Sequence, residues 1–173
     1  MIRRVRSGEA ARIRELRLDA LRDAPHAFAS SLQRERTHPD AHWSELAEQS
    51  DAGLSGVVFV AVSADRWVGM AAAFWFDQPG GVAQLWGLWV EPAARGQGLG
   101  RQLVDEVSAW AGARGAVRVR LGVVDRAPEA AAFYKRLGFA PTGETKALPP
   151  DGSVTALFYA RDVGVQKGAA PGR

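Results

Sequence analysis

The 173-residue sequence predicts a single α/β domain with a mixed, largely antiparallel sheet flanked by helices. Three observations carry that prediction. Two apolar, β-rich runs at residues 57–63 and 67–76 are joined only by Ala64-Asp65-Arg66, the spacing of a hairpin. A strand-like run at 82–90, a helix-periodic segment carrying Leu99, Leu103, Val107, Trp110 and Ala111, and a further run at 116–124 form a strand–helix–strand unit. The length suits one core, since domains cluster at roughly 100 to 150 residues.

Each element has its own signal. A short strand at 2–5 leads to Ser7, a helix cap by type, and Ile13, Leu16, Ala20 and Leu21 then recur on one face up to about Asp23. Residues 24–39 hold two prolines and mixed polarity, so they read as a connection. Asp40 is expected to cap a second helix through Trp43, Leu46 and Ala47. Gln78-Pro79-Gly80-Gly81 turns the chain into the strand at 82–90. Pro128 suits the first turn of a last helix with Ala130, Phe133, Tyr134 and Leu137 on its face, ended by Gly138. Phe139-Ala140 and 154–160 make a final hairpin around Pro149-Pro150-Asp151-Gly152. The domain is expected over 1–162, with 163–173 as a small, polar, disordered tail.

Composition removes several function classes. Without cysteine there is no thiol nucleophile, thiolate metal site or disulfide. The net charge is +3, and arginines alternate with acids, as in Arg12-Ile13-Arg14-Glu15, which reads as a solvated helix face and not a nucleic-acid surface. No window approaches roughly 18 uncharged apolar residues, so no membrane span is expected, and a cytoplasmic location is. His38 and His42 are four apart, but Pro39 and Asp40 put His38 outside the helix, so no metal is assigned.

The most informative stretch is Glu91-Pro92-Ala93-Ala94-Arg95-Gly96-Gln97-Gly98-Leu99-Gly100-Arg101, between a strand and a strongly periodic helix. Glycine in a helix costs about 0.5–1 kcal/mol relative to alanine, so three alternate glycines at a helix start imply close approach to backbone or unusual dihedrals. An anion against free helical N–H groups supplies the reason. The Walker A loop needs Gly-Lys before Ser or Thr, and the Rossmann fingerprint needs Gly-x-Gly-x-x-Gly; neither is present.

Arg95-x-x-Gly98-x-Gly100 resembles the acetyl-CoA signature Arg/Gln-x-x-Gly-x-Gly/Ala of the GNAT superfamily of N-acetyltransferases. The family's second signature, an alanine-rich helix followed by Tyr-x-x-x-Gly-Phe, is matched by Ala130-Ala131-Ala132-Phe133-Tyr134-Lys135-Arg136-Leu137-Gly138-Phe139. With the order of the other elements, the resemblance covers about residues 1–161. It implies a sheet splayed between the strands at 82–90 and 116–124 to admit CoA. Leu88, Trp89 and Val90 would then lie along the pantetheine arm. Arg95, Gly96, Gln97, Gly98, Leu99, Gly100 and Arg101 would hold the pyrophosphate, and Tyr134 would protonate the departing thiolate, leaving Phe133 for the core. Packing alone also accounts for the side chains of Trp86 and Trp89.

Two departures from the family pattern stand out. Many relatives place asparagine where this chain has Ala127, and Asp125 or backbone is expected to compensate. Where the family often has a glutamate base, this chain has Gln84 and Gly122; Asp125, Glu91, Glu35 and a water relay remain alternatives. The expected activity is transfer of an acetyl group from acetyl-CoA, as cosubstrate, to a primary amine of a small molecule by direct attack. Protein or peptide acetylation and non-catalytic acyl-CoA binding are the rivals. A homodimer is compatible with the resemblance.

Overall fold

A computed structural model describes residues 1–149 and 152–163. It contains β1 (Ile2–Arg4), α1 (Ala10–Asp23), α2 (Leu32–Arg36), α3 (Asp40–Ala52), β2 (Gly56–Ser63), β3 (Arg66–Trp75), β4 (Val82–Val90), α4 (Leu99–Gly112), β5 (Arg118–Val124), α5 (Pro128–Arg136), β6 (Ala140–Leu148) and β7 (Val154–Asp162). The strands form one sheet in the order β1-β2-β3-β4-β5-β7-β6. Only β4 and β5 run parallel, with α4 as the crossover between them; every other neighbouring pair is antiparallel. The predicted mixed, largely antiparallel sheet is therefore present.

Two apolar clusters hold the layers together. Ile13, Leu16 and Ala20 of α1 and Trp43 and Ala47 of α3 pack on Val58, Val60, Met70 and Ala72 of the sheet. Leu103, Val104, Val107 and Trp110 of α4 pack with Leu85, Val119, Leu121 and Tyr134 in the other cluster. Both helix sets follow the i, i+3, i+4 spacing that puts one apolar stripe on the sheet. The buried Ser50 hydroxyl ties α3 to the sheet. It accepts from the Val58 N–H at 3.0 Å and lies 3.1 Å from the carbonyls of Val5 and Val58.

Several local expectations change. Ser7 does not cap α1, which starts after Glu9; the Ser7 hydroxyl and N–H both go to the Asp51 carboxylate, at 2.7 and 3.0 Å. The N-cap of α3 is Pro39, and Asp40 is the first helical residue, where a negative charge suits the positive end of the helix. Within the expected connection at 24–39 lies the short helix α2, capped by Ser31, whose side chain accepts from the Arg34 N–H at 3.2 Å. Strand β4 is not buried along both faces: Trp86, Gly87 and Leu88 are consecutive half-buried residues. Val163, read as tail, is buried and donates its N–H to the Val117 carbonyl at 3.2 Å. Pro150, Asp151 and the rest of the expected tail, 164–173, lie outside the described residues. No helix among the described residues is long and apolar enough to cross a membrane.

Candidate active site

The site starts from an irregularity in β4. Met70 pairs with Trp89 and Ala72 with Trp86, so Ala71 alone faces the stretch holding Gly87 and Leu88. This is a bulge, and Gly87 takes φ +67, where an L side chain is strained. A bulge bends and overtwists its strand. On its other edge β4 pairs with β5 only at Val82–Arg118, Ala83–Val119 and Gln84–Arg120. β5 meanwhile continues alongside β7 as far as Val124. Beyond Gln84 the β5-facing edge of β4 thus has backbone groups that no strand satisfies, and such groups require another partner.

A cavity of about 670 Å³ occupies this opening. Of the residues expected at the cofactor, Leu88, Trp89, Val90, Arg95, Gly96, Gly98, Leu99, Gly100 and Arg101 line it, as does Tyr134; Gln97 does not. Leu121, Gly122 and Val123 of β5 form the facing wall. The volume lies in the range of small-molecule sites, roughly 300–1,000 Å³.

At one end the cavity meets the N-terminus of α4. Gly96 and Gly98 have φ +79 and +78, and Gly98 is the N-cap, with no side chain to cap the helix. The first intrahelical bond runs from the Gln102 N–H to the Gly98 carbonyl at 3.1 Å, leaving the N–H groups of Leu99, Gly100 and Arg101 ahead of the ladder. These donors and the helix dipole favour an anion. Gly100 lines the cavity and has a second reason to be glycine. A Cβ there would lie 3.3 Å from Phe133, so it permits the close approach of α5 to α4.

The Arg95 guanidinium is engaged within the protein. Its Nε donates to the Val90 carbonyl at 2.9 Å, and its Nη2 pairs with Asp23, at the end of α1. Asp23 also accepts from the Trp89 indole Nε1 at 2.9 Å. The indole hydrogen bond, with help from Arg95, holds the Asp23 carboxyl below its ordinary range. Asp23 was not anticipated, because nothing local in the sequence links it to a tryptophan 66 residues away. Trp89 is buried, so Asp23→Ala leaves an unpaired indole N–H and should cost about 1–3 kcal/mol in urea unfolding. Asp23→Asn keeps an acceptor and loses only a half-exposed ion pair, so it should cost under about 1 kcal/mol. Because the folded carboxyl titrates lower than the unfolded one, its stabilisation is present above the unfolded pKa and is lost as pH falls through the folded value.

Tyr134 and Phe133 exchange their expected places. Tyr134 is the buried one, set edge-on between Phe133 and Phe139 at ring distances of 5.2 and 5.7 Å, whereas Phe133 is half-buried and lies on Gly100. Burial raises the Tyr134 hydroxyl pKa above its ordinary value, which keeps the group protonated at neutral pH. A protonated phenol on a cavity wall is a competent donor.

None of the three acids considered from sequence lines the cavity. Glu91 pairs with Arg66 at 3.1 Å, and Asp125 accepts from the Thr155 N–H at 3.1 Å. Glu35 is buried beside Arg17, with Nη2 to Oε1 at 3.2 Å. His26 does line the cavity, as does Asp23. His38 and His42 stack face to face with ring centroids 4.1 Å apart. Among the described residues no group of three or more His, Asp or Glu side chains is placed to hold a metal ion.

A bulged β4 splayed from a parallel neighbour, with a glycine-started helix at the mouth, is the frame of an acetyltransferase of the GNAT type. The family model described as "Acetyltransferase (GNAT) family" matches residues 13–139, and the chain belongs to that family. The mycothiol acetyltransferase of Beutenbergia cavernae is 37% identical over 73 residues, 42% of this chain; the chain spans about a quarter, 25%, of that curated relative. A GNAT acetyltransferase from Streptococcus pneumoniae superposes with a TM-score of 0.79 at 16% identity, over 95% of this chain and 99% of that one. YncA from Salmonella typhimurium, solved with its cofactor acetyl-CoA, superposes at 0.75 with 21% identity, over 99% and 97%. PaiA N-acetyltransferase from Thermoplasma acidophilum, in complex with coenzyme A, gives 0.73 at 16%, over 94% and 98%. At these identities the three structures establish the shared fold.

Proposed function

We propose that the protein transfers the acetyl group of acetyl-CoA to a primary amine of a small molecule by direct attack. The observation that carries this reading is one cavity joining the unpaired edge of β4 to the free N–H groups of α4 and to Tyr134. The pantetheine amides would add to the β4 edge as an extra strand does, and the pyrophosphate would sit at Gly98 and the first turn of α4. The thioester would then lie between Leu88 and Tyr134.

An amine with an ordinary pKa near 10.4 spends about 4–5 kcal/mol to lose its proton at pH 7. Water in the cavity, passing that proton to solvent, removes it. The amine nitrogen then bonds to the acetyl carbon, and a free β4 backbone N–H stabilises the charge on the carbonyl oxygen. As the C–S bond breaks, the nitrogen releases its second proton to solvent, the sulfur takes the Tyr134 proton and leaves as a thiol, and the phenol regains a proton from solvent. The sum is amide, CoA thiol and one released proton.

The segment between α1 and α2 favours a small acceptor over a protein. His26, Ala27 and Phe28 line the cavity and narrow the room a peptide acceptor would need. The test is incubation with acetyl-CoA and mixed amines, reading thiol release and product mass. Thiol release that depends on an amine and an acetylated small molecule are expected; acetyl-CoA binding without transfer to any amine would make the protein a binding domain.

A further inference from the structure

A second cavity of about 450 Å³ adjoins the first. His26 and Phe28 line both, so the two meet at the segment between α1 and α2. Its charged walls are of one sign: Arg34 and Arg126 line it, and no Asp or Glu among the described residues does. Neither guanidinium has an ion pair among the described residues. The rest of the wall includes Pro25, Leu148 and Val154, which suits a short apolar body.

A buried cation stacks on Phe28, which lines both cavities. Arg17 is 5% exposed, with its guanidinium carbon 4.8 Å from the Phe28 ring centroid and 5.6 Å from that of Trp86. Its Nη2 donates to Glu35, whereas its Nε and Nη1 are buried with no hydrogen-bond partner. Buried cationic donors left unmet are costly, and the positive charge beside Phe28, which lines both cavities, favours a negative group in this region over a positive one.

We propose that the second cavity is the acceptor's anion subsite, and that the acceptor is a small amine that also carries a carboxylate, held by Arg34 and Arg126. This rests on the acetyltransferase reading above and narrows it: amino acids with apolar side chains fit, and polyamines and aminoglycosides do not. Two arginines suit a carboxylate because each presents planar donors to its two oxygens.

The test compares matched acceptors: leucine against leucinamide, phenylalanine against phenylalaninamide, with γ-aminobutyrate, spermidine and kanamycin alongside. Wild type is expected to show kcat/KM at least about tenfold higher for each acid than for its amide. Arg34→Gln/Arg126→Gln should raise KM for the acids at least about tenfold, leave the amides within about twofold, and leave acetyl-CoA affinity by calorimetry unchanged, since neither arginine lines the first cavity. Preference for amides or polycations overturns the proposal, as does an acid preference that survives in the double variant. Tight acetyl-CoA binding with no turnover of any acid also overturns it. Failure to bind acetyl-CoA at all removes instead the reading on which it rests.

Discussion

Gly98→Asp is expected to raise the acetyl-CoA dissociation constant at least about 100-fold, equivalent to about 2.7 kcal/mol, while the protein stays folded. Gly98 caps α4 at φ +78, and a Cβ there meets nothing nearer than the Gln102 amide nitrogen at 3.9 Å, so the new side chain has room. Left-handed backbone strains an aspartate by about 1 kcal/mol or more, although it tolerates that region better than most residues. The carboxylate would accept from the N–H groups of the first α4 turn, which offsets part of the strain as a helix cap does. Those are the donors assigned to pyrophosphate. The variant therefore meets its ligand with the donors occupied and a negative charge facing two more. Gly98→Ala separates the effects: it keeps the strain, adds no charge, and should weaken binding less than about tenfold. Calorimetry with acetyl-CoA, paired with thermal unfolding, reads both. A folded Gly98→Asp protein that binds like wild type would falsify the phosphate-site assignment.

Tyr134→Phe should lower kcat by about 10²- to 10⁴-fold and leave acetyl-CoA affinity nearly unchanged, if chemistry limits turnover. The ring is held edge-on by Phe133 and Phe139, so phenylalanine keeps those contacts and removes only the oxygen. A merely structural tyrosine predicts altered stability with turnover intact. The leaving group provides an independent check, because a more acidic thiol gains less from a donor; an acyl donor of that kind should narrow the gap between variant and wild type. Since burial raises the hydroxyl pKa, loss of the donor proton should not limit wild-type turnover below about pH 10. Wild-type rates for Tyr134→Phe on a rate-limiting chemical step would assign the proton to water or backbone.

The features legible from residue order are the local ones. Apolar periodicity marked α1, α3 and α4, alternating glycines marked the start of α4, and the strand at 82–90 coincides with β4 at both ends. The loop at 95–101 and Tyr134 stand out by motif alone, and all but Gln97 line one cavity. These features are legible because helical spacing, turn chemistry and a glycine's dihedral freedom act within a few residues.

Relations that depend on the packing of distant elements emerge only once the chain has folded. Phe133 and Tyr134 sit about 100° apart on α5, and which of them enters the core follows from where α4 presses, at Gly100. Asp23 reaches Trp89 and Arg95 only because α1 ends over β4, and Glu35 is buried because α2 brings it to Arg17. The splay of β4 from β5 follows from a bulge set by register with β3, a non-local pairing that residue type alone does not specify. Charge assignments fail from sequence for the same reason: an acid's role depends on which cation the fold brings beside it, and that contact forms only when the chain has closed.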